Sequence, residues 1–287
     1  MLIKPVNEYR APRHQLDDDE ESVESKPSPI PTVAVVIDDS VAVDYVLISP
    51  STIGIISANF PRTRAVGKVS ITYPELYAAA TENSEAEPSK TEDASKDYYD
   101  EDEQLYSAIE HKVIQSKYAQ TEIPLYYSET NKSLSVTFPH FANVITYSLI
   151  ARALVSKLNP SKTWITLAPC SLNNNQTLSK LVINEKVVKS EYYNAIPDLK
   201  PPHFVTGIVA SVISQLNLSP ESRLLSLVLN SEGQSGFEKS DNDAIVDAAV
   251  VVADVLHFDE RVKEEYLKKV SLSVRKFNGF SNSGMYI

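Results

Sequence analysis

The richest concentration of groups able to do chemistry lies in residues 231–239, SEGQSGFEK, which hold two of the chain's seven glycines. Glu232 could act as an acid or base in a cleft, and Ser235 could be a nucleophile. The segment follows an apolar run that reads as a buried strand and precedes a helical pattern, where α/β folds place ligand sites. A hydrolase elbow needs Gly-x-Ser-x-Gly. Ser235 has Gly233 two residues before it but Phe237 two after, so the motif is incomplete. A phosphate-cradling loop needs clustered glycines opening a helix, and neither GxGxxG nor GxxxxGK occurs. The structural alternative is simpler: the glycines make a turn, Phe237 packs on the sheet, and Glu232 and Lys239 are surface or capping groups.

Other chemistries find less. There is no HExxH, no cysteine pair and no calcium-loop pattern, so neither a metal nor a cofactor is expected. The single cysteine, Cys170, excludes an internal disulfide and has no local histidine pattern to make it a nucleophile. It reads as an inert half-buried residue. Tyrosines come in adjacent pairs at 98/99, 126/127 and 192/193. On a strand such neighbours face opposite sides, so no aromatic cage is implied.

The segment Met285-Tyr286-Ile287 is different. It follows residues 278–284, NGFSNSG, which are mostly small, polar and turn-forming. Extended, those seven residues reach roughly 23 Å. A tether of that kind suits a docking peptide, which offers main-chain hydrogen bonds, a Tyr ring for a pocket and a carboxylate for a lysine or a backbone nest. From physics alone, a tail folded back on its own domain is an equal reading.

Charge is concentrated. The net charge is −11 over 287 residues. Residues 81–103 hold ten acids against two lysines, and residues 17–26 hold six against one, which leaves the rest at +2. Such tracts repel themselves and bury little, so both are expected to be disordered. An acidic balance disfavours nucleic acid and anionic membranes as partners. No apolar run approaches the roughly 20 residues of a membrane span, and the acidic N-terminus resembles no targeting signal. The expectation is a protein of the cytosol or nucleus.

The elements that would position these groups follow from periodicity. Residues 1–31 read as a disordered arm ending in KPSPIP. Strands are predicted over 32–38, 41–49 and 66–73, with 51–57 as a further strand. After the long acidic insertion loop, 122–138 reads as two strands joined by a turn at 129–132. Helices are predicted over 141–158, 201–217, 241–258 and 259–270. Between them, 163–169 and 224–230 read as buried strands, 177–183 as strand or short helix, and 271–277 as a strand. Alternating strands and helices predict an α/β fold, a three-layer α/β/α sandwich with a mostly parallel central sheet. One domain spans 32–277, and 278–287 is its flexible docking tail.

Three blocks carry a resemblance. PPHFVTGIVASVISQL (201–216), SEGQSGFEK (231–239) and GMYI (284–287) resemble the fungal proteasome assembly chaperone 1 family in order and spacing. The likeness is good over roughly the last 90 residues; the N-terminal half is similar in layout only. It implies an α/β chaperone without catalytic residues or small-molecule substrate. Such a chaperone pairs with a related second subunit and caps the outer face of the α-subunit ring of immature proteasome core particles. The family's hydrophobic–Tyr–any-residue tail enters pockets between α-subunits and blocks premature activator binding. Here Met285, Tyr286 and Ile287 match it. Two other readings stand beside this one. One is a nucleoside-phosphorylase or hydrolase-type enzyme, with Glu232 and Ser235 near its site. The other is an adaptor with a generic C-terminal docking peptide.

Overall fold

The computed structural model describes residues 29–38, 40–74, 76, 118–172, 176–183, 190–219 and 222–282, the side chains of 277–282 excepted. Most of the N-terminal arm, the acidic segment 81–103, and Met285, Tyr286 and Ile287 lie outside these residues.

Among the described residues nine strands form one sheet, with β1 (Thr32–Ile37), β2 (Tyr45–Pro50), β3 (Thr63–Thr72), β4 (Thr121–Ser128), β5 (Ser133–Phe138), β6 (Thr163–Cys170), β7 (Leu178–Ile183) and β8 (Leu224–Glu232) in the order β1-β3-β4-β5-β2-β6-β8-β7. The two-residue β9 (Lys239–Ser240) pairs with the end of β8. The helices of the described residues are α1 (Ile55–Ala58), α2 (Val144–Lys157), α3 (Glu191–Ala195), α4 (Gly207–Asn217), α5 (Asn242–Val255) and α6 (Glu260–Asn282).

Burial explains the central strands. Val46 and Ile48 of β2 join the core beneath α2 and α4. Tyr45 and Leu47 enter the opposite core beneath α1, α5 and α6. A strand covered on both faces reads as a continuous apolar run. The expectation of a mostly parallel sheet holds only at this centre. The pairs β5/β2, β2/β6 and β6/β8 are parallel, whereas β1/β3, β3/β4, β4/β5 and β7/β8 are antiparallel. The reason lies in the connections. Between β4 and β5 only the turn 129–132 intervenes, with Lys132 in the left-handed region at φ 51°. So short a link joins only antiparallel strands. β3 and β4 alternate between buried and exposed residues because they contribute to one core alone.

Two further expectations give way. Residues 51–57 form no strand but a 3₁₀ turn (Ser51–Ile53) leading into α1. The spacing of Ile53, Ile56 and Phe60 puts all three in the core under α5 and α6. Residues 271–277 are not a strand either, because α6 runs on to Asn282. Tyr266, Val270 and Val274 recur every four residues and are buried together, so one apolar stripe holds the helix to the body. Tyr266 is fully enclosed, its hydroxyl donates to the Ile56 carbonyl at 3.2 Å, and its ring meets Phe60 and Phe258 at 5.6 and 5.3 Å.

Candidate functional site

The strands β5, β2, β6 and β8 run in one direction, so their carboxyl ends form a single edge. The loops after them gather the side chains that the sequence singled out. Residues 231–239 are clamped at their base. Ser231 and Ser240 share a buried hydroxyl hydrogen bond of 2.7 Å. The Asn230 amide donates to Asp241 Oδ2 at 2.6 Å, while Asn230 Oδ1 accepts from the Leu172 N–H at 2.8 Å. The two glycines make the turn, at φ 114° for Gly233 and 90° for Gly236.

The tip of this loop lies on His140, just past β5. Gly236 is pressed to the imidazole so closely that an added Cβ would fall on the ring. Phe237, expected to pack on the sheet, instead meets His140 in a tilted ring contact, centroids 5.6 Å apart and planes at 48°, and stays 75% exposed. Gly236 brings the loop backbone down onto the imidazole, which leaves the Phe237 ring to lie over it from outside. Tyr147 of α2 completes the cluster. Its hydroxyl accepts from the Phe141 N–H at 2.8 Å and lies 3.1 Å from His140 Nδ1. The phenol oxygen thus ties the Phe141 backbone to the His140 ring. Burial pushes the Tyr147 phenol above its ordinary pKa, against the Phe141 hydrogen bond, and the charge of Glu238 adds to the rise.

The space enclosed here is small. A cavity of about 30 Å³ remains among Ser51, His140, Tyr147, Ser235 and Glu238. That is about one water's share of liquid volume. Beside it, a more open cleft of about 360 Å³ is lined by Cys170, His203, Phe204, Ser235 and Glu238. Ser235 is exposed, and among the described residues no hydrogen bond joins it to His203 or Glu238. Glu232 is also exposed. Cys170 is half-buried, with its thiol 3.8 Å from the Ser171 carbonyl. Tyr126 and Tyr127 take opposite faces of β4, one 44% and the other 8% exposed. Among the described residues no group of three His, Cys, Asp or Glu could hold a metal, and no helix is long and apolar enough to cross a membrane.

What this edge does present is apolar surface. Phe237 and Phe204 are 75% and 70% exposed, and Val144 and Ile145, in the first turn of α2 just after His140, are also exposed. Sequence reasoning missed His140 and Phe204. Phe204 stands inside a block already singled out, PPHFVTG, where an aromatic between prolines and a helix start was the available signal.

The model of the POC1 chaperone family matches residues 1–287. No curated protein matches the chain in sequence. Pyrococcus furiosus PbaA in a monoclinic crystal form, described as an archaeal homolog of proteasome-assembly chaperone, is similar in fold. Its TM-score is 0.50 at 16% identity, over 87% of this chain and 91% of that one. A second crystal structure of PbaA gives a TM-score of 0.47 at 14% identity, over 86% and 97% of the two chains. A Corynebacterium glutamicum protein of unknown function gives 0.44 at 10% identity, over 88% and 99%.

Proposed function

The chain belongs to the POC1 chaperone family, and from that premise we propose that it is a proteasome assembly chaperone acting as a heterodimer with a related second subunit. The pair caps the outer face of the α-subunit ring of immature core particles. Met285-Tyr286-Ile287 enters a pocket between α-subunits. Membership of a chaperone family implies a binding protein and not an enzyme. The observation that carries the reading is the reach of the family match, which takes in the tail as well as the folded body.

In this reading Met285 supplies an adaptable apolar contact, Tyr286 fills a pocket with its ring, and the carboxylate of Ile287 is received by a cation or backbone N–H groups. The tail departs from a helix that reaches Asn282, with only Ser283 and Gly284 before Met285. Three residues alone bind weakly, roughly in the millimolar to micromolar range. The second subunit's tail and contacts of the two bodies raise the effective concentration and with it the net affinity. A change in ring geometry on maturation would end simultaneous engagement and release the chaperone. Until then the tail occupies pockets that activators would use. The second subunit, in this reading, covers the carboxyl edge where Phe204, Phe237, Val144 and Ile145 stand exposed. The protein would act in the cytosol or nucleus.

The test is deletion of residues 285–287, or Tyr286→Ala, followed by co-purification with immature core particles. Loss of most of the bound particle is expected. Undiminished recovery removes the tail from the mechanism.

A further inference from the structure

The outward face of α6 carries a pattern that the tail reading does not use. Lys268, Lys269, Leu272, Arg275 and Lys276 are all exposed and fall at helical spacing, opposite the buried Tyr266, Val270 and Val274. The chain has a net charge of −11, yet it contains no acid after Glu265. Between Glu265 and Ile287 four cations stand without an acidic side chain among them. Glu264 and Glu265 stand four residues before Lys268 and Lys269, at the spacing that favours helical ion pairs. Still, among the described residues the only cation of α6 in an ion pair is Lys263, with Asp254 at 3.9 Å. The helix dipole does not explain the stripe, since its effect fades beyond the last turn and these cations stop six residues short of Asn282. Leu272, 49% exposed at the centre of the cations, adds an apolar contact.

We propose that this stripe, Lys268, Lys269, Arg275 and Lys276 around Leu272, is an electrostatic docking surface for an acidic patch on the protein whose pocket receives the tail. The inference rests on the tail-docking reading. Six residues of helix separate Lys276 from Asn282, about 9 Å at helical rise. Three more residues bring the chain to Met285, at most about 10 Å further. Tyr266, Val270 and Val274 hold the helix to the core, so the stripe moves with the body. A pocket that takes the tail therefore brings its own rim to within about 19 Å of Lys276 and about 31 Å of Lys268, or closer, distances over which charge acts on the approach most strongly at low salt. An acidic patch on a protein fits better than an extended polyanion, because a nucleic acid or an anionic membrane would also meet the net-negative remainder of the chain.

The experiment compares three full-length proteins, each with its second subunit: the wild type, the variant Lys268→Gln/Lys269→Gln/Arg275→Gln/Lys276→Gln, and the deletion of residues 285–287. Association and dissociation rates with immature core particles are read at about 50 and about 500 mM salt. The four substitutions are expected to lower the low-salt association rate about ten-fold or more. Wild type and variant should converge at high salt. The tail deletion should mainly speed dissociation and keep the salt-dependent association. Unchanged melting of the variant, whose substituted side chains are all exposed, excludes misfolding as the cause. Equal association rates and equal salt dependence for variant and wild type overturn the proposal. Unchanged rates on tail deletion, with slowed association of the variant, remove the tail reading and keep the stripe as a docking surface. Salt-sensitive sedimentation of wild type but not variant with phosphatidylserine vesicles, with core-particle association unaltered, overturns it in favour of a lipid surface.

Discussion

Gly236 is held at φ 90° against the His140 ring. Two constraints act there at once. A side chain would strain the backbone, and its Cβ would displace the imidazole. Gly236→Ala is therefore expected to cost about 1–3 kcal/mol, seen as a lower midpoint in urea denaturation. Phe237 should lose its place over His140 in the same variant. A variant as stable as wild type would mean that the loop does not rest where the structure puts it. Asp44 makes a different kind of statement. The Ser161 hydroxyl, 2.7 Å from Oδ1, holds its carboxyl below the usual carboxylate range; burial opposes this and Lys162, at 3.3 Å, assists. A depressed carboxylate stabilises the fold above its unfolded pKa, and that stabilisation is lost as the pH falls through the folded value. The stability gap between wild type and Asp44→Asn should be full at about pH 6 and close below about pH 4. Denaturation midpoints across that range measure it; a gap independent of pH would contradict the assignment.

At the scale of elements, α6 matters most, because it connects the core to the tail. Tyr266 anchors it through both ring and hydroxyl, and full burial drives the phenol pKa far above its ordinary value. Tyr266→Phe should cost about 1 kcal/mol by leaving the Ile56 carbonyl without its donor. Tyr266→Ala should cost about 3–5 kcal/mol, and chemical denaturation separates the two. The same helix shows what a sequence can and cannot reveal. Its first half was legible, but Ser271-Leu272-Ser273-Val274 alternates like a strand. The four-residue recurrence of Tyr266, Val270 and Val274 acquires meaning only once Phe60, Phe258 and Ile56 supply the surface to pack on. By contrast β2, β6 and β8 were plain in the sequence, since burial on both faces makes them unbroken apolar runs. The turn between β4 and β5 was plain from its polar residues. α1 was mistaken for a strand because Ile53 and Ile56 are β-branched, although their spacing is helical. The antiparallel flanks were hidden because strand pairing joins distant residues and leaves no local period. The site was half legible. Residues 231–239 were marked by their glycines, but the partner on which Gly236 rests, His140, stands 96 positions away and no spacing rule connects them.

The whole molecule presents an imbalance at its carboxyl edge. An interior of ordinary apolar content is closed on both faces of the sheet, yet Phe204, Phe237 and Val144 remain 70–75% exposed. Large apolar groups left together in water are a liability unless something covers them. If the second chaperone subunit does so, two charged replacements should separate folding from pairing. Phe204→Asp together with Phe237→Asp removes little buried area from the chain itself, so the melting temperature should change only slightly, within about 0.5 kcal/mol of stability for each site. The same pair of changes puts two carboxylates where an interface would exclude water. Affinity for the second subunit should fall at least about ten-fold, a typical consequence of truncating buried aromatic anchors. The isolated chain should become less prone to self-association. Sedimentation velocity on the single chain and on the mixed subunits reads both effects. Unaltered pairing with unaltered stability would place the partner elsewhere and leave these aromatics free to meet the α-ring itself.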